Sequence, residues 1–389
     1  MRGDAEADVD LLIVGAGIVG CTVAERAAAL RGWRSLVVDR RRHVGGNCHD
    51  ALHASGVLVH SYGPHYFRTD SDDVLAYLSR FTEWIPGRYV VKVATRGRLF
   101  DFPINLTTLE QVYGRAFDAD EARLLLDELR DRSIVTPRSS EELVLSRVGR
   151  EFYDLFYAPY TRKQWGMSPA QLDVSVCGRV PVRFTRDERY VDQRHQVMPR
   201  DGFTRMFERM LASPLITVLL GCDFAELRGA IRPRVATLYT GPIDAYFDHR
   251  LGRLAWRSLD FELVAYEQQW KQPCVQINYP GAEPYTRSVE YKHVTGQRHP
   301  QTVVGYEYPR ASGDPFYPVP SARGRRLYAA YAELAEHARR TERTYFAGRL
   351  ATYAYLNMDQ ATAAALEAFA EIERDWLASR VRHASAGRG

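Results

Sequence analysis

The sequence predicts an α/β protein made of a Rossmann-like unit, a helical insert and a mixed antiparallel sheet. Three observations predict it. Residues 10–39 read as strand, glycine turn, helix, strand; amphipathic helical periodicity runs from residue 71 to about 160; and after residue 173 the chain breaks into short alternating segments rich in Pro, Arg and Tyr.

In the first unit, Leu11-Leu12-Ile13-Val14 has the unbroken apolar character of a buried parallel strand. Gly15-Ala16-Gly17-Ile18-Val19-Gly20 reads as a tight turn, residues 22–30 as an Ala-rich helix, and residues 35–39 as a second strand ending in a carboxylate. In the insert, apolar residues at i, i+3, i+4 predict helices over 71–81, 107–113, 120–131 and 141–156, with a hairpin over 88–102 that turns at Thr95-Arg-Gly-Arg. Further on, a helix is expected over 204–211, a strand from Val235 into a turn, and sheet segments over 261–266, 275–279 and 287–293. Helices at 324–340 and 358–377 close the chain, and the Gly-containing tail after Ala384 is expected to fray. The division this implies is 1–70 as the first Rossmann segment and 71–175 as the helical insert. Residues 176–330 form the mixed-sheet substrate domain, interleaved with returning segments of the first, and 331–389 the last segment and helix.

Composition narrows the function. With 389 residues, 46% hydrophobic and 26% charged, the chain is neither a disordered tail nor a coiled coil. Its net charge is +4, and the arginines are dispersed rather than clustered, which argues against a nucleic-acid partner. Five cysteines without a CxxC pair indicate no metal site and no disulfide framework, in keeping with a cytoplasmic protein. The segment 1–10 is acidic where a signal peptide would be basic, and no stretch is apolar enough for membrane insertion.

Gly15, Gly17 and Gly20 fit GxGxxG between strand and helix, with Asp39 closing the next strand 19 residues after Gly20. The first glycine permits the turn, the second lets backbone approach a pyrophosphate, the third packs helix on strand, and the carboxylate suits ribose hydroxyls. Arg40-Arg-Arg-His-Val-Gly-Gly46-Asn47 comes next, a basic run into Gly-Gly of the kind that brings backbone against FAD. Asp39 disfavours a 2′-phosphate, so FAD is preferred over NAD or NADP.

Four longer motifs then carry a specific resemblance. They are Gly56-Val-Leu-Val-His-Ser-Tyr-Gly-Pro-His-Tyr-Phe-Arg-Thr, Tyr157-Ala-Pro-Tyr-Thr-Arg-Lys-Gln-Trp-Gly, Arg179-Val-Pro-Val-Arg with Tyr190, and Gly348-Arg-Leu-Ala-Thr-Tyr-Ala-Tyr-Leu-Asn-Met. In this order, from about residue 10 to 370, the chain resembles the bacterial UDP-galactopyranose mutases. The resemblance implies an FAD-dependent isomerase that interconverts pyranose and furanose forms of a nucleotide sugar, UDP-galactose or a relative. It works without net redox change, through a sugar adduct at N5 of the reduced flavin.

It also implies residue roles. Arg179, Arg287 and Arg349 would clamp the departing diphosphate, with His65 and Arg68 near the flavin and the reacting centre. Phe156 and Tyr160 would line the uridine site, Trp165 the mobile loop, and Tyr190, Tyr317 and Tyr355 would hydrogen-bond the diphosphate, with Arg257 and Asn357 nearby. Besides the glycines, Asp39, Arg40, Asn47, His60, Arg349 and Met358 would contact FAD. An external reductant such as NAD(P)H and a homo-oligomer are compatible with this reading.

The chain departs from the family pattern at four positions. Arg68 stands where a histidine is usual, Asn357 replaces an acidic residue, Ala354 an arginine and Ala351 a glycine. Two other readings stay open at this level: a flavin oxidoreductase of the amine-oxidase type, and a nucleotide-sugar binder that has lost turnover.

Overall fold

The computed structural model describes residues 9–386. Its centre is a five-stranded parallel sheet in the order Ile216–Leu220, Ser35–Asp39, Leu11–Val14, Ala236–Tyr239, Thr344–Phe346. Leu11–Val14 is buried on both faces, and the alternation is clean. Leu11 and Ile13 enter the main core, while Leu12 and Val14 enter a second one on the opposite face.

Over the first face lies the helix Ile18–Arg31, stopped by Gly32 in the left-handed conformation at φ 63°. The last helix, Met358–Ala386, packs on it through small residues such as Ala24, Ala27, Ala361 and Ala365, and Trp33 is wedged edge-on against Phe369 and Trp376. Over the second face lies the helix Ala322–Glu342, whose Tyr331 meets Phe247. The fraying expected after Ala384 is not seen through Ala386, where the helix still runs, and the rest of that tail lies outside the described residues.

A seven-stranded sheet stands beside this core, in the order Tyr317–Pro318, Trp256–Tyr266, Thr302–Arg310, Arg287–Glu290, Gln276–Asn278, Val91–Thr95, Arg98–Phe102. It is antiparallel except where Gln276–Asn278 meets Val91–Thr95. The helical layer consists of Leu106–Tyr113, Ala119–Leu129, Ser140–Phe152 and Ala158–Trp165. Its first three helices start on side-chain caps, at Asn105, Asp118 and Ser139.

Three further expectations need correction, the first being the sheet segment over 287–293, which ends at Glu290 because the chain turns into the short helix Lys292–Thr295. The helix expected over 141–156 is interrupted at Gly149 (φ 79°, ψ −179°) and continues as a π-turn, Tyr153–Tyr157, before resuming to Trp165. A Cβ on Gly149 would lie 2.1 Å from the Leu129 carbonyl oxygen, so close packing against Ala119–Leu129 forces the break. The sheet also contains a strand that periodicity did not announce, Thr302–Arg310, paired over its length with Trp256–Tyr266. Its Gly305 and Pro309 mask a strand signal, but Gly305 is needed because Tyr291 fills the space a side chain would occupy, and Pro309 lies near the strand's end.

Among the described residues no helix is long and apolar enough to cross a membrane, and no cluster of His, Cys, Asp or Glu is arranged to hold a metal.

Candidate active site

A cavity opens between the helical layer, the seven-stranded sheet and the segment after Thr344–Phe346. It holds about 1400 Å³ of atom-free space, counting the part open to solvent. The π-turn itself supplies Phe156 and Tyr157 to the cavity wall, and the helix that follows it supplies Tyr160. Arg179 comes directly after the short helix Ser175–Gly178, Arg287 starts a sheet strand, and Arg349 and Tyr355 come from the loop after Thr344–Phe346. Gly348, at φ 93° and tight against Val19, makes that loop's turn.

Of the residues marked in the sequence, His65, Arg68, Phe156, Tyr160, Trp165, Arg179, Tyr190, Arg287, Tyr317, Arg349, Tyr355, Asn357 and Met358 all line this cavity. The three arginines are held differently. Arg349 donates to the carbonyls of Phe316 (3.1 Å) and Leu356 (2.7 Å), which fixes its guanidinium. Arg287 pairs through Nε with Glu307 at 3.0 Å. Arg179 rests over the Tyr355 ring at 4.2 Å. Tyr355 also stacks on Tyr317, ring to ring at 5.6 Å. Burial raises the Tyr355 pKa, but Arg179, Arg349, Arg287 and Arg68 outweigh it and bring the phenol down to about 8.

Four of the remaining marked residues are engaged outside the cavity. Arg257 donates from Nε to the Gln164 carbonyl at 3.1 Å and packs beneath Gly166, so it braces the end of the helix that carries Trp165 instead of facing the cavity. Arg40 is exposed and paired with Asp314 at 2.7 Å. Asn47 accepts from Arg41. Asp39 accepts from the backbone amides of Ala16 and Arg41, both at 2.8 Å, and so ties the glycine turn to the second strand.

The dinucleotide end fits FAD. The helix Ile18–Arg31 begins at Gly17 with no side-chain cap and no acidic residue in its first turn, leaving its N–H groups for a pyrophosphate. Gly17 and Gly46 lie backbone against backbone, and a Cβ on Gly46 would reach within 3.0 Å of the Gly17 Cα. At the ring end, His60 Nδ1 accepts from the His65 amide at 2.8 Å, so the ring proton sits on Nε2, which is buried without a partner among the described residues. His65 Nδ1 donates to the Gly63 carbonyl at 2.9 Å, which leaves its Nε2 as an acceptor. Burial pushes both imidazoles down to about 3, so both are neutral at physiological pH.

The two most distinctive departures touch each other. Arg68 donates to Asn357 Oδ1 at 3.0 Å and to Gln193 Oε1 at 3.3 Å. A cation and a neutral amide on the cavity wall thus form one unit. Restoring Arg68→His and Asn357→Asp is expected to lower the flavin midpoint potential by roughly tens of millivolts, because the anionic reduced flavin loses a cation. The paired restoration should differ from the sum of the single changes by about 0.5–3 kcal/mol. Potentiometry and substrate panels on the four proteins check this, and unchanged potential and preference would show the pair to be neutral.

Sequence reasoning missed Glu307, Tyr89, Gln276 and Asn278. Gln276 and Asn278 had a readable signal, since they are polar residues at i and i+2 on an otherwise apolar strand. Glu307 had none, because its strand went unrecognised.

A dinucleotide turn at the carboxyl ends of a parallel sheet, opening on a cavity walled by arginines, defines the class: a doubly wound flavoprotein whose second ligand is an anion. A family profile described as UDP-galactopyranose mutase matches residues 155–355, and one for an NAD(P)-binding Rossmann-like domain matches residues 13–81. A probable UDP-galactopyranose mutase of Klebsiella pneumoniae is 39% identical over 364 residues, covering 92% of this chain and 93% of that one. A dTDP-fucopyranose mutase of Escherichia coli is 36% identical, covering 92% and 96%. The crystal structure of a reduced UDP-galactopyranose mutase superposes with a TM-score of 0.73 at 16% identity, over 93% of this chain and 94% of that one.

The chain belongs to the UDP-galactopyranose mutase family. It is therefore a flavin-dependent isomerase with FAD as its cofactor, and the oxidoreductase alternative is set aside.

Proposed function

We propose that the chain interconverts the six- and five-membered ring forms of a nucleoside-diphosphate sugar, UDP-galactose or a close relative, in the cytoplasm. The observation that carries this reading is the convergence of Arg179, Arg287 and Arg349 on the Tyr317–Tyr355 stack in one cavity. When bound, reduced FAD supplies an electron-rich N5, and an external reductant such as NAD(P)H would prime it.

The protein's part is to bind, orient and exclude water. Arg349 and Arg287 are preorganised by carbonyls and by Glu307, so they would receive a diphosphate without rearranging. Arg179 adds charge from the loop side, and Phe156 and Tyr160 offer aromatic surface to the base. The dTDP-fucopyranose mutase among the relatives shows that base and sugar vary between related sequences. Five cysteines without a disulfide support the compartment.

The test is to incubate dithionite-reduced and oxidised protein with a panel of nucleotide sugars and follow furanose product by chromatography. Product from the reduced form alone, with no stoichiometric use of reductant, supports the reading. Equal activity of the two forms overturns it.

A pH dependence is expected from Tyr355. Below about pH 8 its phenol is neutral and donates to a diphosphate; above, the phenolate repels one. A bound diphosphate takes up the charge of the surrounding arginines and raises that pKa again, so binding above pH 8 draws in a proton. UDP affinity is expected to hold level from pH 7 to about 8 and to weaken beyond it. Tyr355→Phe should abolish that alkaline limb in calorimetric titrations, and an unchanged limb would assign the titration elsewhere.

A further inference from the structure

Beneath the arginine wall lies a chain of buried polar side chains that the clamp does not use. Tyr89, Gln276 and Asn278 are 2%, 3% and 4% exposed. Gln276 and Asn278 share one face of their strand, and the register sets Asn278 directly opposite Arg287. Tyr89 Oη donates to Gln276 Oε1 at 2.7 Å, and Gln276 Nε2 donates to Asn278 Oδ1, also at 2.7 Å.

The direction of this chain is fixed at its start. A phenol has one proton to give, and burial keeps Tyr89 protonated. Giving that proton to Gln276 turns the glutamine carbonyl toward Tyr89 and its NH2 toward Asn278. The asparagine carbonyl is then occupied, and its own NH2 must point away from Gln276. Asn278 lines the cavity, and its Nδ2 has no hydrogen-bond partner among the described residues. With Gln276 turned over, the Tyr89 proton would lose its acceptor, and no other is found among the described residues.

We infer that Tyr89 and Gln276 are positioning residues that set the polarity of the Asn278 amide, so that it presents N–H donors beside Arg287 to the diphosphate of the substrate. The inference rests on the nucleoside-diphosphate reading above. Polarity matters because phosphate oxygens only accept hydrogen bonds, and the charge of Arg287 is shared with Glu307 in an ion pair. An asparagine carbonyl at that place would face the phosphates as a second acceptor.

The test is UDP binding to the oxidised, FAD-loaded protein, measured by calorimetry over a cycle of wild type, Tyr89→Phe, Asn278→Ala and the double variant. Tyr89→Phe is expected to weaken UDP about five- to tenfold, Asn278→Ala at least about tenfold, and the double variant no more than Asn278→Ala alone. Uridine, which lacks the phosphates, should bind all four proteins alike, an outcome that a merely structural disturbance would not give. Gln276→Glu, with two acceptor oxygens, turns the Asn278 carbonyl outward and should weaken UDP more than Tyr89→Phe; should it fail to fold, the cycle decides alone. UDP binding with additive losses, or equal losses for uridine, overturns the relay. A wild type that binds neither UDP nor dTDP overturns the nucleoside-diphosphate reading itself, and the relay's purpose with it.

Discussion

Arg287→Ala is expected to cost the enzyme both activity and stability, and the two losses can be separated. As a partly buried, charge-assisted contact to a leaving phosphate, Arg287 should supply ~2 to 5 kcal/mol of transition-state stabilisation, roughly 30- to 5000-fold in kcat/KM. Its removal also strands Glu307, which is 1% exposed and has the Arg287 Nε as its charged partner. Breaking a buried pair from one side typically costs about 3–5 kcal/mol. Burial already raises the Glu307 pKa while Arg287 opposes the rise, so in the variant it climbs further. A carboxyl whose folded pKa lies above its unfolded one stabilises the fold as pH falls through that folded value. The variant's deficit in Tm should therefore be largest near neutral pH and shrink on acidification. Arg287→Ala with Glu307→Gln should recover Tm without recovering activity. Arg179→Ala, taken from a side chain that rests on Tyr355, should lose activity on a similar scale with little change in Tm. Wild-type kcat/KM in both arginine variants would remove them from the clamp.

The contrast between Arg287 and Arg179 also shows where sequence reading runs out. The first βαβ unit was legible because its information is local: a continuous apolar strand, three glycines with distinct steric duties, and a carboxylate at the next strand's end. The strands at Leu11–Val14 and Ser35–Asp39 stand where they were expected. The helical layer was legible in kind, but the π-turn was not. It depends on Gly149 meeting the Leu129 carbonyl, a contact between helices that no periodicity encodes. Glu307 and the Tyr89–Gln276–Asn278 chain are non-local in the same way, since Tyr89 and Gln276 are 187 residues apart.

The departures teach a related lesson. In the sequence, Arg68 and Asn357 are two separate departures from the family pattern. In the structure they share a hydrogen bond across 289 residues, and one change accommodates the other. Arg257 runs the opposite way: the resemblance set it near the diphosphate, yet its Nε donates to the Gln164 carbonyl and its guanidinium packs against Gly166. Motif matching identifies which residues recur together, whereas only packing decides which of them face the cavity.

The second large effect is expected at the cofactor end: Gly17→Val should give a folded protein that is colourless and takes up no added FAD. The three glycines of the turn are not equivalent. A Cβ on Gly20 would lie 1.9 Å from the Gly15 carbonyl oxygen, so even Gly20→Ala should break the βαβ unit and the fold with it. Gly17 is different. Its backbone, at φ −80° and ψ −175°, is extended and open to any residue, and a Cβ there would meet only the Gly46 Cα, at 3.8 Å. The folded chain thus has room for a Cβ, and that position lies at the helix N-terminus where a pyrophosphate would sit. A valine there keeps phosphate oxygens away from the first-turn N–H groups, each such charge-assisted contact being worth about 1.5–3 kcal/mol. Loss of two or more should weaken FAD by at least roughly 100-fold. Circular dichroism and size-exclusion profiles like wild type, with no flavin absorbance after incubation with FAD, are the expected result. A yellow Gly17→Val protein with wild-type FAD content would place the pyrophosphate elsewhere. An unfolded one would mean that the valine methyl groups collide with the chain beyond the Gly46 Cα, and Gly17→Ala, with its single methyl group, would then separate exclusion of the cofactor from loss of the fold.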